Sequence, residues 1–312
     1  MNPRIYIHDV VARDGLQIEP KWIPTEQKIE LIDRLSATGI AKIEVTSFVS
    51  PKAVPNLRDA EAVMAGIRRN PEVTYVTLVP NARGAERALA AKADEVALVV
   101  SASETHNRAN VRRTVDESLA GFATVLDVLR GSDIGVIGAV ATAFGCPFEG
   151  TVPEAQVLDC VARYVDLGVA GVTFGDTTGM ANPRQVERLA RKARKSWPEL
   201  ELTLHFHNTR GMGLANVLAG LSAGVVHYEG CLGGLGGCPF APGATGNICT
   251  EDLVHMLHCM DYETGVDLDA LLAASHRLRE IVGHDVPGQV VHAGKVSDLH
   301  PPPAELIAAA PR

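Results

Sequence analysis

Eight short apolar runs, each followed by a stretch of helical spacing, constrain the fold of this chain more than any other feature. The runs fall at residues 5–10, 42–48, 74–79, 95–101, 135–144, 171–176, 201–208 and 225–232. The helical stretches begin at Thr25, Asp59, Ala82, Thr114, Pro153, Asn182, Leu214 and Thr250. In the first of them, Ile29, Leu31, Ile32 and Leu35 share one face and Gly39 stops the pattern. In the sixth, Asn182-Pro183 opens the helix, because proline's missing N–H costs nothing at a first helical position. Eight strand-then-helix units in roughly 250 residues predict an α/β fold of the (β/α)₈ TIM-barrel type. The rival is a doubly wound open sheet, but no Gly-x-Gly-x-x-Gly follows the first strand. A short helical extension is expected after Asp261. Residues 1–298 then form one barrel domain with that extension, and 299–312, which include His300-Pro301-Pro302-Pro303, a loose tail.

Composition removes several classes of function. The 312 residues are 46% hydrophobic and 21% charged, which suits one large buried core. The net charge is −8 with no basic stripe, so nucleic acid is not an expected partner. No apolar run approaches the ~20 residues that cross a bilayer. The start, Met1-Asn2-Pro3-Arg4-Ile5, runs straight into a strand, which leads to the expectation of a cytoplasmic protein. Six cysteines without a Cys-x-x-Cys pair fit free thiols in a reducing compartment.

In a barrel of this kind, chemistry sits at the C-terminal ends of the strands. The unusual polar residues of the sequence fall there: Arg13 and Asp14 after the first strand, Glu44 on the second, Asp176 at the end of the sixth, and His205 and His207 at the end of the seventh. Alternation along the seventh run puts both imidazoles on one face, about 7 Å apart along the strand. Such a pair can grip one divalent cation. Asp14 adds a carboxylate and Asn247 an amide oxygen, a mixed set that leaves positions open for a bidentate substrate. The absence of closely spaced cysteine ligands argues against structural zinc. The Gly-rich loop 233–247 reads as a lid carrying Cys238 at its centre. Each residue also has a plainer use. Asp14 and Asp176 can cap turns, Arg13 can form a surface ion pair, and Glu44 can hydrogen-bond inside the barrel. The two histidines can be core residues, Asn247 a turn residue, and Cys238 a small buried hydrophobe.

Taken in order, these segments resemble the 3-hydroxy-3-methylglutaryl-CoA lyase family of metal-dependent carbon–carbon lyases. The resemblance runs from Arg13-Asp14-Gly15-Leu16-Gln17 through Glu44-Val45-Thr46-Ser47-Phe48 and Gly145-Cys146-Pro147-Phe148. It continues through Gly175-Asp176-Thr177-Thr178-Gly179 and His205-Phe206-His207 to Gly236-Gly237-Cys238-Pro239 and Gly246-Asn247. It implies Mg²⁺ or Mn²⁺ held by Asp14, His205, His207 and Asn247, an acyl-CoA substrate, and a homodimer. It also implies that Arg13 and Cys238 take part in catalysis, that His205 handles a proton, and that Glu44 and Asp176 support them. The implied reaction cleaves the C2–C3 bond of 3-hydroxy-3-methylglutaryl-CoA, or of a related 3-hydroxyacyl-CoA, to acetyl-CoA and acetoacetate or another ketone or keto acid.

Four positions depart from the family pattern. Ile18 and Pro20 stand where Asn and Lys are usual, and Asn208 and Arg210 where Asp and Tyr are usual. These changes leave the lyase chemistry standing and open the acyl group, so a citramalyl-type or branched substrate is an alternative. Two further rivals are a Claisen-type synthase and a barrel that binds without catalysis. The first usually carries a Gly-Glu-Arg-type loop where this chain has Gly-Cys-Pro, and the second predicts loss of ligands that are all present.

Overall fold

The computed structural model describes residues 3–237 and 246–302. Eight parallel strands close on themselves in sequence order. They are β1 (Tyr6–Asp9), β2 (Lys42–Ser47), β3 (Thr74–Leu78), β4 (Glu95–Ser101), β5 (Gly135–Ala141), β6 (Gly171–Asp176), β7 (Glu201–Phe206) and β8 (His227–Gly230). The seam is shut by β1 against β8, with Tyr6 opposite His227 and Asp9 opposite Gly230. The expected (β/α)₈ barrel is therefore the observed fold. No helix among the described residues is long and apolar enough to cross a membrane.

Strand alternation sorts the side chains. Val96, Leu98, Val100, Val140, Val172, Phe174, Leu204 and Tyr228 are buried in the main core cluster between barrel and helices. Removing such side chains from water is the main stabilising term, roughly 25 cal/mol per Å² of apolar surface. One close approach needs a glycine: a Cβ on Gly138 would lie 2.6 Å from the ring of Tyr164, whose hydroxyl donates to Leu98 O at 2.6 Å. The inward positions differ by side of the barrel. Val76, Ala97, Val99, Ile137 and Ala139 from β3–β5 are apolar, whereas His8, Lys42, Glu44, Thr173 and Glu229 are polar. Together they line an internal cavity of about 50 Å³.

The helices follow the sequence reading with trimmed ends. The helix α1 spans Thr25–Ser36, α2 Ala60–Gly66 and α3 Ala82–Ala90. An unanticipated helix, α4 (Glu104–Val111), precedes α5 (Val115–Leu129), and α6 spans Glu154–Asp166. The next, α7 (Pro183–Ser196), starts with a full capping box between Asn182 and Gln185 and has Pro183 in its first turn. After α8 (Gly213–Ser222) and α9 (Thr250–Cys259), the extension forms α10 (Leu268–Val282) and the short α11 (Val290–Ala293). The extension is docked: Arg277 of α10 pairs with Glu30 of α1 at 2.9 Å, and Gly288 N donates to Gly233 O at 3.0 Å.

Asp9 fastens the end of β1. Its carboxylate accepts from Val11 N at 2.8 Å and from Thr250 Oγ1, at the start of α9, at 2.6 Å. Burial pushes this carboxyl up from 3.8 to about 7. A folded-state pKa above the unfolded one gives stability that is present below pH 3.8 and lost as pH rises through about 7. In metal-free protein, Asp9→Asn should therefore melt at a temperature that gains on wild type by several degrees between pH 5 and pH 8. A constant difference across that range would show that Asp9 does not titrate in it.

Candidate active site

The C-terminal ends of β1, β2, β7 and β8 bring the expected residues together. After β1 the chain makes one turn of π-helix, Val11–Gly15, in which Val10 O accepts from Asp14 N at 2.8 Å. That wide turn aims Arg13 toward β2 and Asp14 toward β7. His205 lies on β7, and His207 lies one residue past its end, in an isolated bridge with Asn247. One ligand atom from each of Asp14, His205 and His207 lies within 4.8 Å of the others. The rings of His205 and His207 have centroids 5.1 Å apart. Asn247 joins through its amide, whose Nδ2 donates to Asp14 Oδ2 at 2.7 Å and to Leu235 O at 3.0 Å.

The donor set fits a divalent ion. Asn247 Oδ1 is buried and without a hydrogen-bond partner among the described residues, which a cation satisfies and an apolar site does not. Burial alone raises the Asp14 pKa, but Arg13, then His207 and His205, and the Asn247 hydrogen bond more than reverse it. The net shift is downward, so Asp14 is ionised at neutral pH. His207 Nε2 is 4.0 Å from Asp14 Oδ2.

A second layer holds these groups in place. Arg13 Nη1 donates to Asp14 Oδ1 at 2.7 Å, and its Nε to Glu44 Oε2 at 2.6 Å. Glu44 thus meets the plainer expectation of a bond inside the barrel and also anchors Arg13. Burial, with Glu229 adding and Arg13 opposing, pushes Glu44 up to about 7. Asp176 caps the loop after β6 by accepting from Met180 N at 2.8 Å and Ala181 N at 2.9 Å. Its Oδ2 is buried without a hydrogen-bond partner among the described residues, and burial raises this carboxyl to about 7. Arg210, beside the two histidines in sequence, turns its Nη1 to the carbonyls of Thr178 and Gly179 at 3.0 and 2.9 Å. Ile18 is 43% exposed on the surface. Cys238 lies outside the described residues.

Glu229 was not anticipated from the sequence. Its Oε2 lies 2.9 Å from His205 Nδ1, and its Oε1 accepts from Thr173 Oγ1 at 3.2 Å. Burial lowers the His205 pKa, but the bond to Glu229 and the charges of Glu229 and Asp14 outweigh it and the net shift is upward. The available signal was the alternation His227-Tyr228-Glu229: buried Tyr228 faces the helices, so Glu229 faces the axis.

Glycine earns its place in the described part of the Gly-rich loop. Gly236 has φ +99°, and a Cβ there would lie 2.6 Å from Asn247 Nδ2 and 3.2 Å from Asp14 Oδ2. Gly236→Ala should cost about 1–2 kcal/mol of stability through backbone strain. It should also weaken metal binding roughly 10- to 100-fold by displacing the Asn247 amide, as supporting-residue changes do. Isothermal titration with Mn²⁺ checks this, and unchanged affinity would refute it.

The chain matches the HMGL-like family profile over residues 4–278. A hydroxymethylglutaryl-CoA lyase of Bacillus subtilis is 44% identical, with 94% of this chain and 98% of that protein covered. An (R)-citramalyl-CoA lyase of Chloroflexus aurantiacus is 42% identical, with 94% and 95% covered. The solved structure of an HMG-CoA lyase from Acinetobacter baumannii, in complex with coenzyme A and 3-methylmalate, superposes with a TM-score of 0.93 at 53% identity. It covers 96% of this chain and 98% of that one.

Proposed function

This chain belongs to the HMGL-like family, and from that premise we propose that it is a divalent-metal-dependent carbon–carbon lyase. It cleaves 3-hydroxy-3-methylglutaryl-CoA, or a close 3-hydroxyacyl-CoA, to acetyl-CoA and acetoacetate or another ketone or keto acid. The observation that carries this reading is the convergence of Asp14, His205 and His207 within 4.8 Å beside Asn247 and Arg13.

Asp14, His205, His207 and Asn247 would hold Mg²⁺ or Mn²⁺. A bound ion supplies Lewis acidity to the substrate's hydroxyl and carboxylate oxygens. The protein's own groups do the rest. With Nδ1–H donated to Glu229, His205 keeps one lone pair, on Nε2, so it would take the 3-hydroxyl proton when Asp14, His207 and Asn247 hold the ion without it. Glu229 steadies the positive charge in either case. As the C2–C3 bond breaks, its electron pair moves into a thioester enolate and C3 becomes a carbonyl. Arg13, fixed by Glu44 and Asp14, places positive charge where the enolate oxygen develops. Cys238 is the proposed acid that protonates the enolate carbon. Asp176 holds the loop after β6 beside the histidines.

A citramalyl-type substrate is the second reading, favoured by the 42% identical relative and by Asn208 and Arg210. Arg210 is turned onto the loop after β6, and the cluster of Asp14, His205 and His207 is intact beside it. The test is a panel of 3-hydroxyacyl-CoA thioesters with Mg²⁺ or Mn²⁺, following acetyl-CoA release. Release from none of them, with condensation of acetyl-CoA and a keto acid instead, would replace the lyase with a synthase. We infer that the working form is a cytoplasmic homodimer, and sedimentation equilibrium checks the assembly.

A further inference from the structure

Toward the N-terminal ends of the strands, on the polar side of the barrel, lies a group of ionisable side chains that the lyase chemistry does not use. Lys42, Glu95, Glu201 and His227 are the first residues of β2, β4, β7 and β8. His8, on β1, faces them. His8 Nε2 is 3.3 Å from His227 Nδ1, and His227 Nε2 is 3.7 Å from Glu201 Oε2. One ligand atom from each of the three lies within 4.8 Å of the others. Two nitrogens about 2.0–2.1 Å from a tetrahedral ion lie ~3.3–3.4 Å apart, the spacing already present between the two rings.

We propose that His8, His227 and Glu201 form a second metal site, for a transition ion of the Zn²⁺ class, clasping the seam where β8 meets β1. Two imidazoles and one carboxylate suit zinc, whereas Mg²⁺ favours a shell made almost wholly of oxygens. Lys42 is the group that opposes a cation here, and its charge is already taken up. Its Nζ sits 3.0 and 3.1 Å from the two Glu95 oxygens and 2.8 Å from Glu201 Oε1. Glu201 Oε2 is left for an ion. With one ammonium, two carboxylates and two neutral imidazoles, the group carries −1 before an ion enters. Burial lowers the pKa of both His8 and His227, which favours the neutral, ligating form. Tyr6 stacks on His227 with centroids 4.7 Å apart and planes 11° apart, fixing the plane of that ring. Half-buried His227 and Glu201 leave an approach for the ion and for water as a fourth ligand.

The test uses untagged full-length protein, stripped with chelator and equilibrated with Zn²⁺ or with Co²⁺ as a spectroscopic probe. Wild type should hold two Zn²⁺ per chain. The variant Asp14→Ala/His207→Ala, which loses the upper site, should hold one, show the strong visible absorption of low-coordinate Co²⁺, and melt higher with Zn²⁺ but not with Mg²⁺. Adding His8→Gln/His227→Gln should remove that ion. Glu201→Gln, which keeps the two rings, should weaken it at least tenfold and carries the test should the histidine variant fold poorly. An Asp14→Ala/His207→Ala chain that binds no Zn²⁺ overturns the proposal, as does binding that neither further change affects. The two rings are then a hydrogen-bonded pair and nothing more.

Discussion

Asp14→Ala is expected to lower lyase turnover by about 10³-fold or more, with metal content falling in parallel. Lewis-acid stabilisation is worth several kcal/mol, and each ~1.4 kcal/mol is a factor of ten in rate. The loss is larger than that of one ligand because Asp14 is the hub of the site. Its Oδ2 receives Asn247 Nδ2, and its Oδ1 receives both Arg13 Nη1 and Gln17 Nε2, the latter at 3.1 Å. Removing the carboxylate leaves a partly buried guanidinium and a buried amide short of partners. His207→Ala should lose a similar factor in activity while sparing the Arg13–Glu44 contact. The measurements are acetyl-CoA release at an ordinary Mn²⁺ concentration that suffices for wild type, bound metal by elemental analysis, and circular dichroism to verify folding. Turnover within tenfold of wild type for Asp14→Ala, at ordinary Mn²⁺ concentration, would refute the assigned ion site.

Arg13→Met is expected to reduce kcat by roughly 10²–10³-fold, the usual cost of deleting a fixed donor aimed at a developing oxyanion. Substrate KM should change little, because the charge that Arg13 meets exists only during cleavage. Lysine should not rescue it. The guanidinium spans two carboxylates at once, with Nη2 2.6 Å from Glu44 and Nη1 2.7 Å from Asp14, and a single ammonium cannot reproduce that fork. The same change strands Glu44 beside Glu229 without its cation. Breaking a buried pair on one side costs about 3–5 kcal/mol, so the variant should also melt lower. A double change, Arg13→Met/Glu44→Gln, should recover part of the stability and none of the rate. Recovery of both would show that Arg13 acts only through packing.

The barrel is readable from the chain because its outward strand positions must be apolar to meet the helices, which yields short runs of Val, Leu and Ile at regular intervals. Helix starts are readable where a cap is chemically distinct, as at Asn182-Pro183. The missed helix, α4, has no apolar stripe: its buried residues are His106 and Asn107, and its end is set by Arg112 at φ 59°. The rim residues Arg13, Asp14, His205 and His207 stand out because they interrupt apolar runs at strand ends. Glu229, His8 and Glu201 do not, since a polar residue within or beginning a strand looks solvated until closure of the barrel decides which face is inside. That decision depends on pairings such as β1 with β8, more than two hundred residues apart in the chain. The part given to Cys238 rests on sequence alone, because that residue lies outside the described structure.

Asn247 is fastened twice to Leu235, through its own N–H at 3.2 Å and its side-chain amide at 3.0 Å, and the preceding Gly246 O accepts from Asn208 N at 3.0 Å. Leu235 and Asn247 are thus tied directly to each other, and the side-chain amide in that tie is the one proposed to hold the ion. An engineer who substitutes at Leu235 or Gly236 should therefore expect the first cost in retention of the metal, before any loss of the barrel itself.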